Sequence, residues 1–343
     1  MQKLIYGLFL FIVVGCTTKR VMEDNNARFK DINEEYAKVV TVDSIPEEKT
    51  IPKTPKRIKK SDLSKKSKPE VEIKASSTAA TQPTVEGDKK HEPAIEGAEG
   101  FILRRPIVDP YGVGEKVVLG VNYFNVEAGD LSLNVEPYKV VNGKKAYNFS
   151  LDIKSTKMFS LFYAVDNSAE TFVDFENMIP ITYSSESKET ARRKEARAYF
   201  DWSKNEATYW EKTIKKDGKE DKKKLVWDIE AYTQNIISAL FYLRAFPLTP
   251  GKKFAFRVAD NGKNYLFHAE VLRREKLSTK IGELNTVVVR PTFELEDQFK
   301  PTGENLFWLT DDDRKFIVRI ESKIKIGTLV GKVKSIERGL REN

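Results

Sequence analysis

Cysteine, histidine and long apolar runs are what this chain has least of. One cysteine in 343 residues, Cys16, excludes an intrachain disulfide and any metal site built on several thiolates. Two histidines, His91 and His268, are too few for a His-rich zinc centre. A general base at His268 would still need a partner nucleophile. No G-x-S-x-G elbow, no G-x-G-x-x-G turn and no Walker sequence occurs. After Cys16 no apolar run approaches eighteen residues, so no transmembrane helix is expected. Carboxylates are plentiful, at 51 Asp and Glu. A pair fit for glycoside hydrolysis is defined by separation in space, so the sequence leaves that chemistry open. No catalytic residue, metal ligand or cofactor is assigned.

What is present begins at the N-terminus. Lys3 precedes the apolar run Leu4–Val14, and the small residue Gly15 precedes Cys16. The run is too short to span a hydrocarbon core of ~30 Å. Its charge, apolar stretch and small residue follow the layout of a cleaved signal peptide over residues 1–15. The ending Val13-Val14-Gly15-Cys16 resembles the bacterial lipobox. That resemblance implies cleavage after Gly15 and acyl chains on Cys16, enough for stable membrane anchoring. Thr17-Thr18 lack the Asp that signals inner-membrane retention in enteric bacteria. The expected location is therefore the cell envelope, with the protein on the outer membrane facing the periplasm. A plain signal peptide with an incidental cysteine, or a short uncleaved anchor, is the alternative.

From Cys16 to residue 100 the chain has few aromatics and is rich in Lys, Glu, Pro, Ser and Thr. Such a composition cannot bury enough apolar surface to offset its ordering entropy. It reads as a tether, with a short helix near Asn25–Val40, spanning roughly 50 Å for ~84 residues of flexible coil. Prolines at 46, 52, 55, 69, 83 and 93 would stiffen it. Lys53–Lys68 holds eight Lys or Arg against one acid, a net +7 beside +8 for the whole chain. The basic character thus belongs to the tether and the rest is near neutral. The run is either a self-repelling spacer or a contact for an anionic envelope polymer. Nucleic acid is not an expected partner outside the cytoplasm.

Composition shifts at Phe101 to aromatic and β-branched residues in alternation, and 101–337 reads as one β-rich domain with a tail at 338–343. Gly114–Val135 suggests two strands joined at Ala128-Gly129-Asp130. Asn142-Gly143 is the strongest hairpin signal. Beyond it Tyr147, Phe149, Leu151 and Ile153 alternate with Asn148, Ser150 and Asp152, one face dry and the other wet. Further strands are expected at Phe159–Val165, Thr171–Phe175 and Ile181–Ser185. A hairpin is expected around Ser203-Lys204-Asn205, and Lys215–Lys224 reads as a polar loop. One helical stripe interrupts the pattern: Ile236, Leu240 and Leu243, with Asn235 as N-cap and Pro247 as stop. Strands resume at Lys253, with Asn261-Gly262 as a second turn and Pro291 marking an edge or bulge. The expected class is all-β (mainly β): one large curved antiparallel sheet, a roll or incomplete barrel, carrying one short α-helix.

Several short stretches then fall into a recognisable order. They are Gly114-Glu115, Ala128-Gly129, Ser238-Ala239-Leu240-Phe241-Tyr242-Leu243-Arg244, Pro250-Gly251-Lys252, and Trp308-Leu309-Thr310-Asp311-Asp312 followed by Gly327. The set resembles the bacterial domain-of-unknown-function family 3108. The resemblance covers roughly residues 112–336 and implies an exported, mostly β envelope domain without assigned chemistry. Asn235-Ile236 and Thr310 depart from the family pattern without touching the fold.

Three groups remain as sites. Asp311-Asp312-Asp313 could offer oxygen ligands to Ca²⁺, but lacks EF-hand spacing and fits a hairpin turn in which Asp311 bonds local backbone N–H groups. Tyr199, Trp202, Tyr209 and Trp210, with Arg244, form a candidate surface for a ligand or partner, or else ordinary sheet core. Arg244 would complement the helix dipole or bond a strand carboxylate. The functional expectation is a lipid-anchored, non-catalytic envelope protein binding a hydrophobic or glycan ligand or an envelope protein partner. A cell-wall or lipid hydrolase and a structural spacer are the alternatives.

Overall fold

The chain was analysed as a computed structural model, which describes residues 26–45, 101–102, 104–124, 126–295, 305–324 and 327–341. Residues 1–25 and 46–100, hence Gly15, Cys16, His91 and Lys53–Lys68, lie outside the described residues. The described chain opens with a 3₁₀ turn at Asn26–Phe29, helix α1 at Lys30–Ala37 and strand β1 at Val42–Ser44. The short pair β2 (Phe101–Ile102) and β3 (Arg105–Pro106) follows. Then come β4 (Val113–Tyr123), β5 (Val126–Val141), β6 (Lys144–Ser155), β7 (Val165–Asp174), β8 (Pro180–Glu189), β9 (Arg192–Asp201), β10 (Glu206–Lys215) and β11 (Glu220–Asp228). Helix α2 (Ile236–Tyr242) leads to β12 (Lys253–Asp260), β13 (Lys263–Thr279), β14 (Gly282–Leu295), β15 (Asn305–Thr310), β16 (Ile317–Ile324) and β17 (Gly327–Leu340).

Fourteen of these strands lie in one antiparallel sheet in the order β11-β10-β9-β8-β7-β6-β5-β4-β17-β16-β15-β14-β13-β12, and β1 adds to the end of β5. It is two meanders, β4–β11 and β12–β17, joined where β17 returns beside β4. The outermost strands β11 and β12 do not pair, but their surroundings meet. Gln234 bridges Val258 in parallel fashion, Trp227 Nε1 donates to Asn264 Oδ1 (3.1 Å), and Asn264 Nδ2 donates to the Asp228 carbonyl (3.0 Å). The result is an incomplete barrel, the solution expected of a sheet too long to stay open. Lys222, Lys223 and Lys224 on β11 guard the edge with charge.

The hairpins follow local chemistry. Asn142 and Gly143 adopt φ of 48° and 79°, as a type I′ turn requires, and Val141 pairs with Lys144 across them. Elsewhere the sequence reading is corrected. The first hairpin turns at Phe124, not at Ala128-Gly129-Asp130. Gly129 lies inside β5 beside a bulge, where an added Cβ would sit 2.5 Å from the Lys154 carbonyl oxygen. Phe159–Leu161 is a 3₁₀ turn rather than a strand. Lys215–Lys224 is a hairpin whose strands are held by charge pairs such as Lys215 Nζ–Asp221 Oδ2 (2.6 Å), a stretch with no apolar residue to reveal its alternation. The last strand runs to Leu340, and Arg341 pairs with Asp313 (2.6 Å), so 338–341 is no tail.

Helix α2 fills the inner side of the sheet. Asn235 Oδ1 accepts from the N–H groups of Ile237 (3.0 Å) and Ser238 (2.8 Å), and Ser238 Oγ accepts from Asn235 N (2.9 Å), closing a capping box. The Asn235 amide also donates to Thr171 Oγ1 on β7 (2.7 Å). Ile237 to Tyr242 are all buried, as a helix surrounded by sheet demands. Phe241 stacks on Phe149 with centroids 4.2 Å apart, and Phe246, Phe254, Phe256 and Phe267 continue the aromatic core.

Residues 26–45, assigned to the tether by composition, instead cross the outer face of the sheet. Phe29 and Ile32 are fully buried against Trp210 and Ile214, and Val40 packs with Val141, Phe172 and Ile181. Trp210 Nε1 donates to Glu35 Oε2 (2.9 Å), Lys222 pairs with Asp31 (3.1 Å) and Arg28 pairs with Glu220. If this segment is part of the fold, Ile32→Ala should cost about 2–4 kcal/mol in urea titration of the whole protein. A loss near zero would mean that the segment detaches in solution.

Candidate functional site

The residues singled out from sequence do not form one surface. In the β9–β10 register Tyr199 lies opposite Thr208 and Trp210 opposite Arg197, while Tyr209 lies opposite Ala198. Period-two alternation therefore sends Tyr199 and Trp210 to the outer face and Tyr209 and Trp202 to the inner one. Tyr209 and Trp210 are buried, and Tyr199 and Trp202 are half-buried. Trp210 lies under α1 (6.3 Å from the Tyr36 ring), and Trp202 Nε1 donates to the Pro180 carbonyl (2.8 Å). The aromatic hairpin is core on both faces.

Arg244 is also internal. Its guanidinium donates to both oxygens of Glu115 (2.5 and 3.0 Å), and Arg314 Nη2 donates to Glu115 Oε2 (2.9 Å). All three side chains are nearly solvent-free. The remaining N–H groups reach the carbonyls of Pro110, Arg314 and Arg338. The Tyr111, Phe241 and Phe316 rings wall the cluster. Of the two roles the sequence offers Arg244, bonding a strand carboxylate is the one the structure shows. A buried carboxylate between two guanidiniums joins β4 to the end of the helical segment and to the loop before β16. It is a framework element with no opening for substrate.

The acidic run is likewise framework. Asp312, rather than Asp311, organises the turn: its Oδ1 accepts from Arg314 N (3.1 Å), Lys315 N (2.9 Å) and Thr310 Oγ1 (2.7 Å). Asp311 pairs with Arg274 (2.8 Å) and Asp313 with Arg341. Among the described residues no group of three or more His, Cys, Asp or Glu is placed to hold a metal ion. His268 sits mid-strand on β13, half-exposed, with Nε2 3.2 Å from Glu294 Oε2.

The feature that sequence reasoning passed over is the wet face of β5–β8. Ser150 and Asp152 on β6, Ser168 and Glu170 on β7, and Ser184 and Glu186 on β8 line a groove of about 260 Å³. Their register makes them neighbours, Ser150 opposite Glu170 and Asp152 opposite Ser168, then Glu170 opposite Ser184 and Ser168 opposite Glu186. Two buried asparagines support the groove. Asn134 donates its amide to Ser150 Oγ (2.9 Å) and Asp152 Oδ2 (3.0 Å), and Asn148 donates to Glu170 Oε1 (2.9 Å). The Oδ1 atoms of both accept no hydrogen bond from the protein. Burial pushes the Glu170 carboxyl above its ordinary range, Asn148 opposes that, and nearby Glu136 adds to it. The sequence signal was the run Asn148, Ser150, Asp152, readable as solvated but not as one wall of a groove. A second groove, of about 400 Å³, lies between the β13–β14 hairpin and the outer face of β4 and β17, with Lys280, Arg319, Lys332 and Lys334 around it.

The fold and these sites define a class: a mainly β protein whose open antiparallel sheet wraps one buried helix, with its charged clusters spent on the framework. The family described as "Protein of unknown function (DUF3108)" matches residues 119–334, and the chain belongs to that family. No curated protein matches the chain. Among solved structures it resembles a β-barrel-like protein of the DUF1849 family from Brucella abortus, with 10% identity and a TM-score of 0.43, covering 66% of this chain and 98% of that one. It also resembles a candidate lipoprotein from Parabacteroides distasonis, with 10% identity and a TM-score of 0.31, covering 67% and 99%.

Two outcomes test this framework. Glu115→Gln leaves two buried guanidiniums without a counter-charge and should cost about 3–5 kcal/mol in urea unfolding. Asp260, at the seam between the outermost strands, has its carboxyl pushed up to about 6 by burial and by Glu211, against Lys194 and Lys223. The folded state therefore holds a proton that the unfolded state releases between about pH 4 and 6, and ionisation opposes folding above that window. Asp260→Asn should melt higher than the parent at pH 7, and the gap should close by pH 4. A gap independent of pH would contradict the assignment.

Proposed function

We propose that this protein is a lipid-anchored, non-catalytic component of the bacterial cell envelope, held on the outer membrane facing the periplasm, that binds a hydroxyl-rich, glycan-type ligand on the wet face of β5–β8. The observation that carries the ligand class is the groove itself. Three serine hydroxyls and three carboxylates alternate along its walls, and the side-chain amides of Asn134 and Asn148, beside the groove, hold Ser150, Asp152 and Glu170 in place. Sugar hydroxyls donate and accept in close succession, which suits walls of alternating hydroxyl and carboxylate. An apolar ligand is the weaker choice, because α2 and its aromatic neighbours occupy the inner face where one would sit. Anchoring rests on the Val13–Cys16 signature, and the envelope setting follows from it.

A hydrolase reading draws on Glu170, whose raised carboxyl range suits a general acid beside Asp152 or Glu186. Titration calorimetry of the protein with soluble cell-wall oligosaccharides should show saturable binding. Asn148→Ala and Glu170→Gln should each weaken it by about tenfold while the melting curve stays cooperative. Binding unaffected by both substitutions would remove the groove from consideration, and reducing ends released by the parent but not by Glu170→Gln would favour the hydrolase. Cys16→Ala should move the protein from the membrane fraction to the soluble one.

A further inference from the structure

The ends of the sheet differ. At the end where β4 turns into β5, Phe124 is 71% exposed and Val126 54%. The β6–β7 connection lies beside that turn, since Thr156 N donates to the Ala128 carbonyl (2.9 Å) and Thr156 Oγ1 to that of Glu127 (3.4 Å). In it Met158, Leu161 and Phe162 are 70–71% exposed. Five large apolar side chains thus project from two adjacent tips, an arrangement that soluble surfaces rarely leave open. Phe124 holds a φ of 47°, a left-handed conformation that disfavours bulky residues. Acid and base close to the tips are paired with one another: Lys334 with Glu127 (3.0 Å) and Asp130 (2.8 Å), and Lys154 with Asp166 (3.0 Å).

The chain enters the fold at this same end. Arg28 bonds Glu220 and the Gly218 carbonyl at the β10–β11 turn, and that turn lies at the sheet end shared with Phe124. From there α1 descends to Thr41, which meets Asn142 at the opposite end. Only nine residues, and so ten Cα–Cα steps, separate Asn26 from Cys16. Fully extended they span at most about 35 Å. A ten-residue strand such as β9 or β10 is itself about 33 Å long. With the Asn142 end against the bilayer this link would be drawn almost taut; with the Phe124 end there it is slack.

We infer that the side chains of Phe124, Val126, Met158, Leu161 and Phe162 insert into the lipid headgroup boundary, orienting the sheet upright on the membrane. The inference rests on the anchoring read at Cys16. Insertion is carried by the five apolar side chains: Lys154 and Lys334 are taken up by neighbouring acids, and Lys157 is the one basic residue inside the second tip. The length of link outside the described residues, and the end of the sheet where it begins, select a lipid surface over a protein or a second copy.

The test uses full-length protein reconstituted into phosphatidylethanolamine and phosphatidylglycerol vesicles. Leu161→Cys, or Lys144→Cys at the opposite end, supplies a thiol for an environment-sensitive fluorophore. Mass spectrometry of the mature N-terminus reports the acyl chains separately. The expected result is a blue-shifted emission at 161 but not at 144, unchanged between low and high salt. Water-like emission at 161 in protein shown to carry its acyl chains overturns the inference. So does a shift that appears without vesicles and grows with protein concentration, which marks a second copy as the occupant. If the N-terminus proves bare, vesicle flotation decides. Phe124→Ser with Phe162→Ser should then lower the bound fraction at least about tenfold, and binding that is absent or unchanged overturns the inference.

Discussion

The carboxylate of Glu115 sits where three parts of the chain must agree. It lies on β4, the strand that joins the two meanders, and it is held by Arg244 at the end of the helical segment and by Arg314 before β16. Burying three charged groups is costly, and the cost is met only when every N–H finds an oxygen. The carbonyls of Pro110, Arg314 and Arg338 take most of the N–H groups that Glu115 leaves over. Such a cluster adds little stability over an apolar one, but it tolerates one geometry. Helix α2 can then lie on the sheet in one position, with Phe241 on Phe149, and the aromatic core packs around it.

The motifs singled out in the sequence find their places in this framework. Glu115 and Arg244 are the two sides of the ion cluster. Ser238 closes the capping box, and Gly129 lets β5 approach β6. Asp312 shapes the turn that presents Arg314, and Trp308 donates to Glu275. The residues that specify the fold are spent on specifying it. The groove proposed for binding is built instead from ordinary polar positions of a solvated strand face, which a motif search passes over.

What was legible in the sequence followed from local rules. Asn-Gly turns, the capped helix and the alternation in β6 each depend on residues within a few positions. The rest depended on partners far away. Ala128-Gly129 looks like a turn because glycine permits one, but its reason is the Lys154 backbone across the strand pair. The actual turn is made by Phe124, which local preference would never choose. Phe29, Ile32, Tyr36 and Val40 do form a helical stripe, yet four apolar residues in a charged segment gave no sign of a sheet face to receive them. The aromatic hairpin failed for the opposite reason. Its residues were read as one surface, and β geometry divided them between two.

The docked N-terminal segment bears mechanically on the anchoring proposed at Cys16. Were the fold to begin near residue 101, more than eighty residues would separate it from Cys16, and the domain would sample a wide volume in any orientation. Because Phe29 and Ile32 are buried on the outer face, the described fold begins at Asn26, with nine residues between it and Cys16. Residues 46–100 then connect β1, beside the Asn142 turn, to β2, and add nothing to the reach of the anchor. A short link attached at one end of a rigid sheet restricts both height and tilt. The polar groove on β6–β8 opens on the same face that α1 crosses, so in a protein anchored as proposed its distance from the bilayer would follow strand length rather than a random coil.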